Sequence, residues 1–425
     1  GKIQEVLKKY DIDIIPLHIV KGNEELEDGP AIDIAALYKW ADENKTTPKT
    51  SAPSIETAMK FVCQKSAILK ELSNALDFTS QRNTIAVYAN VCLVLAGDNL
   101  TLKATDQKMS YVSEITVQGI EDGSTTVLCD KFLNVVKNLP EADIVFETSE
   151  DKISIKPENQ SIDFKLRTIE ASAFPSLTFA DEDSFFKVSQ KDFTDMINQV
   201  IFAVSDDESK FAMNGALLER NGNSLVMVGT DGRRLSYICR QLETDIPDFS
   251  KATIPSKFLL LVKKMSINEG DFDVCVSDNT ISIRFGSCTI SSSLIKNDFP
   301  AYRRVIPERQ SKVCIVNIEA LSDALKRVSL LVENKYKKVI LEFNDNKLSV
   351  YCDESDVGAG REIIDCKYED EPVKCAMNFT YLLSPLKVMD GKEARIEFSE
   401  PERPFTIKSE PERDYLHVIM PMNIN

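Results

Sequence analysis

Apolar positions recur at two spacings along most of this chain, three or four apart in some stretches and two apart in others. Ile68, Leu69, Leu72 and Leu76 would share one face of a helix. So would Phe193, Ile197, Val200 and Ile201, and likewise Ile318, Leu321, Leu325 and Val328. The period-two stretches read as strands: Ile153-Ser154-Ile155-Lys156, Ile281-Ser282-Ile283-Arg284 and Phe405-Thr406-Ile407-Lys408 begin 128 and then 124 residues apart. A hairpin is legible where Val339-Ile340-Leu341-Glu342-Phe343 returns through Asn344-Asp345-Asn346 to Leu348-Ser349-Val350-Tyr351.

The recurrence points to an internal repeat. Thr105-Asp106 and Thr230-Asp231 each close a strand-like run and lie 125 residues apart, as do Phe174-Pro175 and Phe299-Pro300. Six helices are expected, at 65–77, 130–139, 190–203, 256–267, 317–331 and 378–389, two to a unit of strand, helix, strands, helix, strands. The predicted fold class is α+β, with tandem domains at 59–180, 184–308 and 311–425 joined by Asp181-Glu182-Asp183 and Arg309-Gln310-Ser311, behind a segment 1–58 outside the repeat. A chain of 425 residues is too long for one core, so several domains are the expected outcome.

Charge sharpens the picture. The chain carries a net −16, yet the six helical segments sum to +4, so the positive charge is concentrated on the helices of an acidic protein. Lys65, Lys70, Lys131, Lys137, Lys257, Lys263, Lys264, Lys326, Arg327 and Lys387 fall opposite the apolar stripes, and Arg82 follows the first helix. For any one of these, the solvated side of an amphipathic helix is explanation enough. Repeated through the architecture, the segregation suits loose, sequence-neutral contact with phosphates.

Other chemistry has little material. Ten cysteines sit mostly in apolar runs with no CxxC, and read as buried thiols rather than disulfides or zinc ligands. Two histidines far apart, His18 and His417, make neither a triad nor a metal site, so no metal and no cofactor is expected. An enzyme using Asp106 and Asp231 as acid and base is the alternative class, but both occupy one position of a repeated turn, which points to structure instead of catalysis. No apolar run reaches the roughly 18–20 residues of a membrane span, and Gly1-Lys2-Ile3-Gln4-Glu5 lacks a signal-peptide layout, so no membrane partner and a cytoplasmic location are expected.

Met59-Lys60-Phe61, Met213-Asn214-Gly215, Val228-Gly229-Thr230-Asp231-Gly232-Arg233-Arg234-Leu235, Phe299-Pro300-Ala301-Tyr302-Arg303-Arg304-Val305-Ile306-Pro307 and Val418-Ile419-Met420-Pro421-Met422 resemble, in order, the bacterial DNA sliding-clamp family, the beta subunit of DNA polymerase III. The resemblance spans 59–425. It implies three copies of the clamp domain per chain, helices lining a ring and antiparallel sheets outside, and a head-to-tail homodimer around double-stranded DNA. The implied function is non-catalytic: conferring processivity by tethering the polymerase. A scaffold that binds only proteins is the alternative.

The resemblance also assigns residues. Phe164 and Leu166 would meet Leu330 and Leu331 of the other copy, unless all four are core residues of their own domains. A pocket for peptides from the polymerase III alpha subunit, the clamp loader and other partners would comprise Met213, Thr230, Gly232, Arg233, Leu235, Pro300, Arg304, Val305, Tyr336, Asn378, Tyr381, Val418, Ile419, Met420, Pro421 and Met422. The chain departs from the pattern at Asn423, where a basic residue is common, and at Glu402-Arg403-Pro404, where the family is more apolar.

Residues 1–58 resemble instead an early portion of the DegV family of fatty-acid-binding proteins, through Tyr10-Asp11-Ile12-Asp13-Ile14-Ile15-Pro16-Leu17-His18, Ala36-Leu37-Tyr38-Lys39-Trp40 and Pro48-Lys49-Thr50-Ser51-Ala52-Pro53-Ser54. The expectation is a short α/β leader fragment of one or two strands and a helix. Nearly all the lipid-binding body is missing, so the fragment is not expected to bind lipid or to add to clamp function.

Overall fold

The computed structural model describes residues 58–180, 184–249 and 251–424. The leader, its expected strands and helix, the linker Asp181-Glu182-Asp183 and Asn425 lie outside the described residues.

Six helices form in the expected places: α1 (Lys65–Leu76), α2 (Cys129–Asn138), α3 (Gln190–Val200), α4 (Ser256–Met265), α5 (Ile318–Ser329) and α6 (Phe379–Leu386). They pack in pairs, α1 on α2, α3 on α4 and α5 on α6, one pair for each copy of the repeat. Burial follows the stripes: Ile68, Leu72 and Ala75 on α1, Phe193, Ile197 and Val200 on α3, Leu321, Leu325 and Val328 on α5. Three starts are fixed by side chains that accept from exposed backbone N–H groups, Ser189 from Asp192, Asn317 from Ala320 and Asn378 from Thr380.

The strands form two antiparallel sheets, of 13 and 12 strands, that run through the domain junctions. At the first junction Cys288–Ser293 pairs with Met109–Thr116, with Ile290 opposite Tyr111. At the second, Arg234–Gln241 pairs with Tyr415–Ile419, with Leu235 opposite Val418. Both junctions use the same two positions of the repeat: the third strand of a copy's first sheet run and the last strand of the next copy. The corresponding strands at the two ends of the triplet are Arg361–Lys367 and Phe164–Ile169, which have only two residue pairs each along one edge, to Lys312–Asn317 and to Gly123–Leu128. The hairpin at Asp345-Asn346 places both turn residues at positive φ, 44° and 58°, as a two-residue turn matching strand twist demands.

A polar chain stitches the second junction beneath the sheet. His417 is 1% exposed; its Nδ1 lies 2.8 Å from the Ser236 hydroxyl and its Nε2 3.1 Å from Gln199 Oε1, while Gln199 donates to Val388 O at 2.7 Å. Burial drives the imidazole pKa down to about 3, so the ring is held neutral. The folded value lies below the unfolded one, near 6.5, so the unfolded chain takes the proton first as pH falls. The stabilisation is therefore complete above about pH 6.5 and drains away toward pH 3, at up to about 1.4 kcal/mol per pH unit. The wild type should lose stability more steeply between pH 6 and pH 4 than His417→Gln, by about 1 kcal/mol per unit. Parallel curves in urea titrations at those pH values would contradict the assignment.

Candidate functional site

The turn after strand Ser224–Thr230 is built by its own side chains. Thr230 Oγ1 donates to Arg234 O at 2.7 Å, and Asp231 Oδ1 accepts from the N–H groups of Arg233 and Arg234 at 2.9 and 3.1 Å. Gly232 sits at φ +90°, and a side chain at Gly229 would collide with Val200 O at 2.4 Å, where the end of α3 crosses the strand. The Val228–Leu235 motif is thus a backbone specification. Its counterpart repeats the design: Thr105 Oγ1 donates to Met109 O, Asp106 Oδ1 accepts from Lys108 and Met109 N–H, and Gln107 takes φ 81°. Both aspartates hold turns. Among the described residues no three His, Cys, Asp or Glu side chains gather as a metal site, and the ten cysteines are thiols outside any disulfide, eight of them buried.

Two hollows hold expected members of the site, and the larger meets this turn at Arg233. One, of about 950 Å³, is lined by Arg233, Tyr336, Asn378, Tyr381, Met420, Pro421 and Met422, together with Lys338, Asp353 and Asn423. The other, of about 680 Å³, takes in Pro300 and Arg304 with Lys251, Lys296, Phe299 and Arg303. Between them Leu235 and Val418, paired across the junction, belong to a small core with Leu217, Val226, Val228 and Tyr302. Val305, Tyr336 and Met420 are left 49%, 53% and 41% exposed. Apolar surface of that kind, beside arginines, suits an extended peptide with aliphatic and aromatic anchors.

Two expected members are buried in other roles. Ile419 is 1% exposed and points into the third domain's core, since strand alternation sends Val418 and Ile419 to opposite faces. Thr230, 6% exposed, is committed to the turn. Met213 flanks Gly232, 4.0 Å from where a Cβ would stand. Sequence reasoning missed Arg234, whose guanidinium lies 4.4 Å from the Tyr381 ring centroid and bonds Asp231 and Ser384, tying α6 to the turn. It missed Phe211 as well, 61% exposed on the short turn that carries Met213. The doubled arginine of the motif was the available signal for the first.

The basic side chains divide into three groups. Lys65 is not a surface cation: it is 8% exposed, donates to Leu139 O at 2.6 Å and pairs with Glu141. It starts α1, where the backbone closes against the end of α2, and that proximity draws the ammonium inward. Lys131, Lys257, Lys264, Lys326 and Arg327 are exposed but paired, with Asp130, Asp106, Asp77, Asp323 and Glu362. Lys70, Arg82, Lys137, Lys263 and Lys387 are exposed with no ion pair among the described residues.

The four residues expected between copies also differ among themselves. Leu330 is 80% and Phe164 47% exposed, whereas Leu166 and Leu331 pack partly against the cores of their own domains. Val357 and Ile363, 72% and 60% exposed, are further unpartnered apolar groups in the third domain.

Comparison with known proteins agrees with this anatomy. Residues 59–178, 187–301 and 303–423 match the N-terminal, central and C-terminal domains of the DNA polymerase III beta subunit, and residues 3–71 match the DegV family. The beta sliding clamp of Treponema pallidum (strain Nichols) is 36% identical over 368 residues, 86% of this chain and 99% of that protein. The Pseudomonas aeruginosa beta sliding clamp is 26% identical over 86% of this chain and 100% of its own. A crystal structure of a Pseudomonas aeruginosa sliding clamp bound to griselimycin superposes with a TM-score of 0.82 at 26% identity, over 86% of this chain and 100% of that one. From Met59 onward the chain therefore belongs to the DNA polymerase III beta subunit family, the bacterial sliding clamps, with a DegV-like segment in front.

Proposed function

We propose that two copies of this chain close head to tail into a ring around duplex DNA. Its cleft between the second and third domains would seat peptides from the polymerase III alpha subunit, the clamp loader and other replication and repair proteins, in the cytoplasm. The observation that carries the ring is the reuse of one strand pairing at both internal junctions, which leaves Arg361–Lys367 and Phe164–Ile169, each with only two residue pairs along one edge, as the matching strands. A heterologous contact that closes on itself gives a ring. Lys70, Arg82, Lys137, Lys263 and Lys387 face the DNA, with Lys131, Lys257, Lys264, Lys326 and Arg327 contributing where their carboxylate partners release them. Lys65 plays no part.

Topological retention and phosphate binding respond oppositely to salt. Rings loaded on closed circular DNA should stay bound at roughly 0.5 M salt, where ordinary phosphate contacts lose several orders of magnitude in affinity, and should slide off once the circle is cut. Gel filtration of labelled protein with circular and linearised plasmid reads this. A chain retained on neither form is a protein-only scaffold, and nanomolar affinity for a short linear duplex at physiological salt would mean ordinary DNA binding.

A further inference from the structure

Strand Gly215–Asn221 sends Ala216 and Leu218 into the main core and Leu217 into the small core under the cleft. Glu219 is next on the Leu217 face, and its side chain is only 5% exposed. A carboxylate withdrawn this far from water is tolerated only when it is fully paired. Three groups pair it: the Tyr302 hydroxyl and Arg303 Nη2 both donate to Oε1, the latter at 2.5 Å, and Lys251 Nζ lies 3.6 Å from Oε2. Tyr302 is itself 3% exposed, with its ring 6.1 Å from that of Tyr237 and the Arg303 guanidinium 5.2 Å from its centroid.

Tyr302 and Arg303 are neighbours in one short helical turn, Tyr302–Arg304, closed by Tyr302 N–H to Pro300 O at 2.7 Å and Val305 N–H to Tyr302 O at 3.1 Å. Pro300, Arg304 and Val305, the cleft's wall on the second-domain side, are the residues of that same turn and its flanks. Glu219 holds Tyr302 and Arg303 of this turn, and Pro300 and Arg304 on either side of them line the second hollow together with Lys251 and Arg303.

We propose that Glu219 is a positioning residue for the partner-peptide cleft. It touches no peptide but holds the Pro300–Val305 wall in the binding-competent shape through Tyr302 and Arg303. This rests on the reading of the cleft given above. A wall released from its anchor samples other arrangements, and apparent affinity falls by the fraction of time it is competent.

The test uses the full chain and a fluorescent extended peptide with leucine and phenylalanine anchors. Glu219→Gln keeps the volume and an acceptor oxygen but removes the charge, and should weaken the peptide about tenfold. Amide exchange at Arg304 and Val305 should quicken while strand Ser224–Thr230 stays protected. Tyr302→Phe should cause a similar loss, and the double variant should be little worse than either single one, because both cut the same link. Loss of protection through the whole middle domain, or additive losses, would show a general structural role and overturn the proposal. A wild type that ignores the peptide sinks the cleft reading and this role together. A wild type and a Glu219→Gln variant that bind equally tightly sink this role alone.

Discussion

A chain carrying aspartate at position 330 should sediment as a folded monomer. Leu330 ends α5 with 80% of its surface exposed, so its own domain does not need it, and the substitution leaves that domain's core intact. In the proposed ring it enters an apolar contact with the region of Phe164. An unpaired carboxylate there costs about 3–5 kcal/mol per interface, and with two interfaces to the ring the dimer equilibrium should move by at least about four orders of magnitude. Leu331 is the wrong partner for this experiment, because it packs against the third domain's core and a charge there would damage the fold as well. Sedimentation velocity decides: a Leu330→Asp chain that stays dimeric at micromolar concentration removes Leu330 from the interface.

The second large effect concerns the end of the chain. Deleting Met420 to Asn425 should weaken partner-peptide binding at least about a hundredfold, since Met420, Pro421 and Met422 form one wall of the larger hollow. The tail is docked: Met420 N–H donates to Arg233 O at 2.9 Å and Met422 N–H to Ala376 O at 2.8 Å. No described residue beyond Ile419 belongs to the third domain's core, so the stability cost should be roughly 1–3 kcal/mol, the worth of two backbone hydrogen bonds. The ring should persist. A fluorescence-polarisation titration beside a thermal melt separates the outcomes: unchanged affinity in a well-folded truncation excludes the tail from the site, and global unfolding makes it a structural strand.

The triplication, the helix positions and the hairpin at Asp345-Asn346 were legible because they rest on period and turn chemistry, which act locally. The cleft was legible only in outline. Periodicity places Val418 and Ile419 on opposite faces of one strand, but which face meets the second domain's small core depends on the pairing of Leu235 with Val418, two domains folded together. Lys65 shows the same limit: a lysine at the start of an amphipathic helix reads as solvated until Leu139 O, 74 residues away, is brought within reach. Glu219 looks like one more exposed acid on a strand until Tyr302 and Arg303 close over it.

The repeated strand pairing has a consequence for how such a ring would open. Within each chain the two sides of a seam are covalently joined, so a broken seam re-forms as an intramolecular event. In the proposed ring the pairing between copies would have no such tether and would re-form only at the concentration of free protein. Stress applied anywhere around that circle would therefore be relieved at the two untethered seams. A partner that pried one of them apart would leave the other as the hinge, so covalent connectivity would set the gate for DNA.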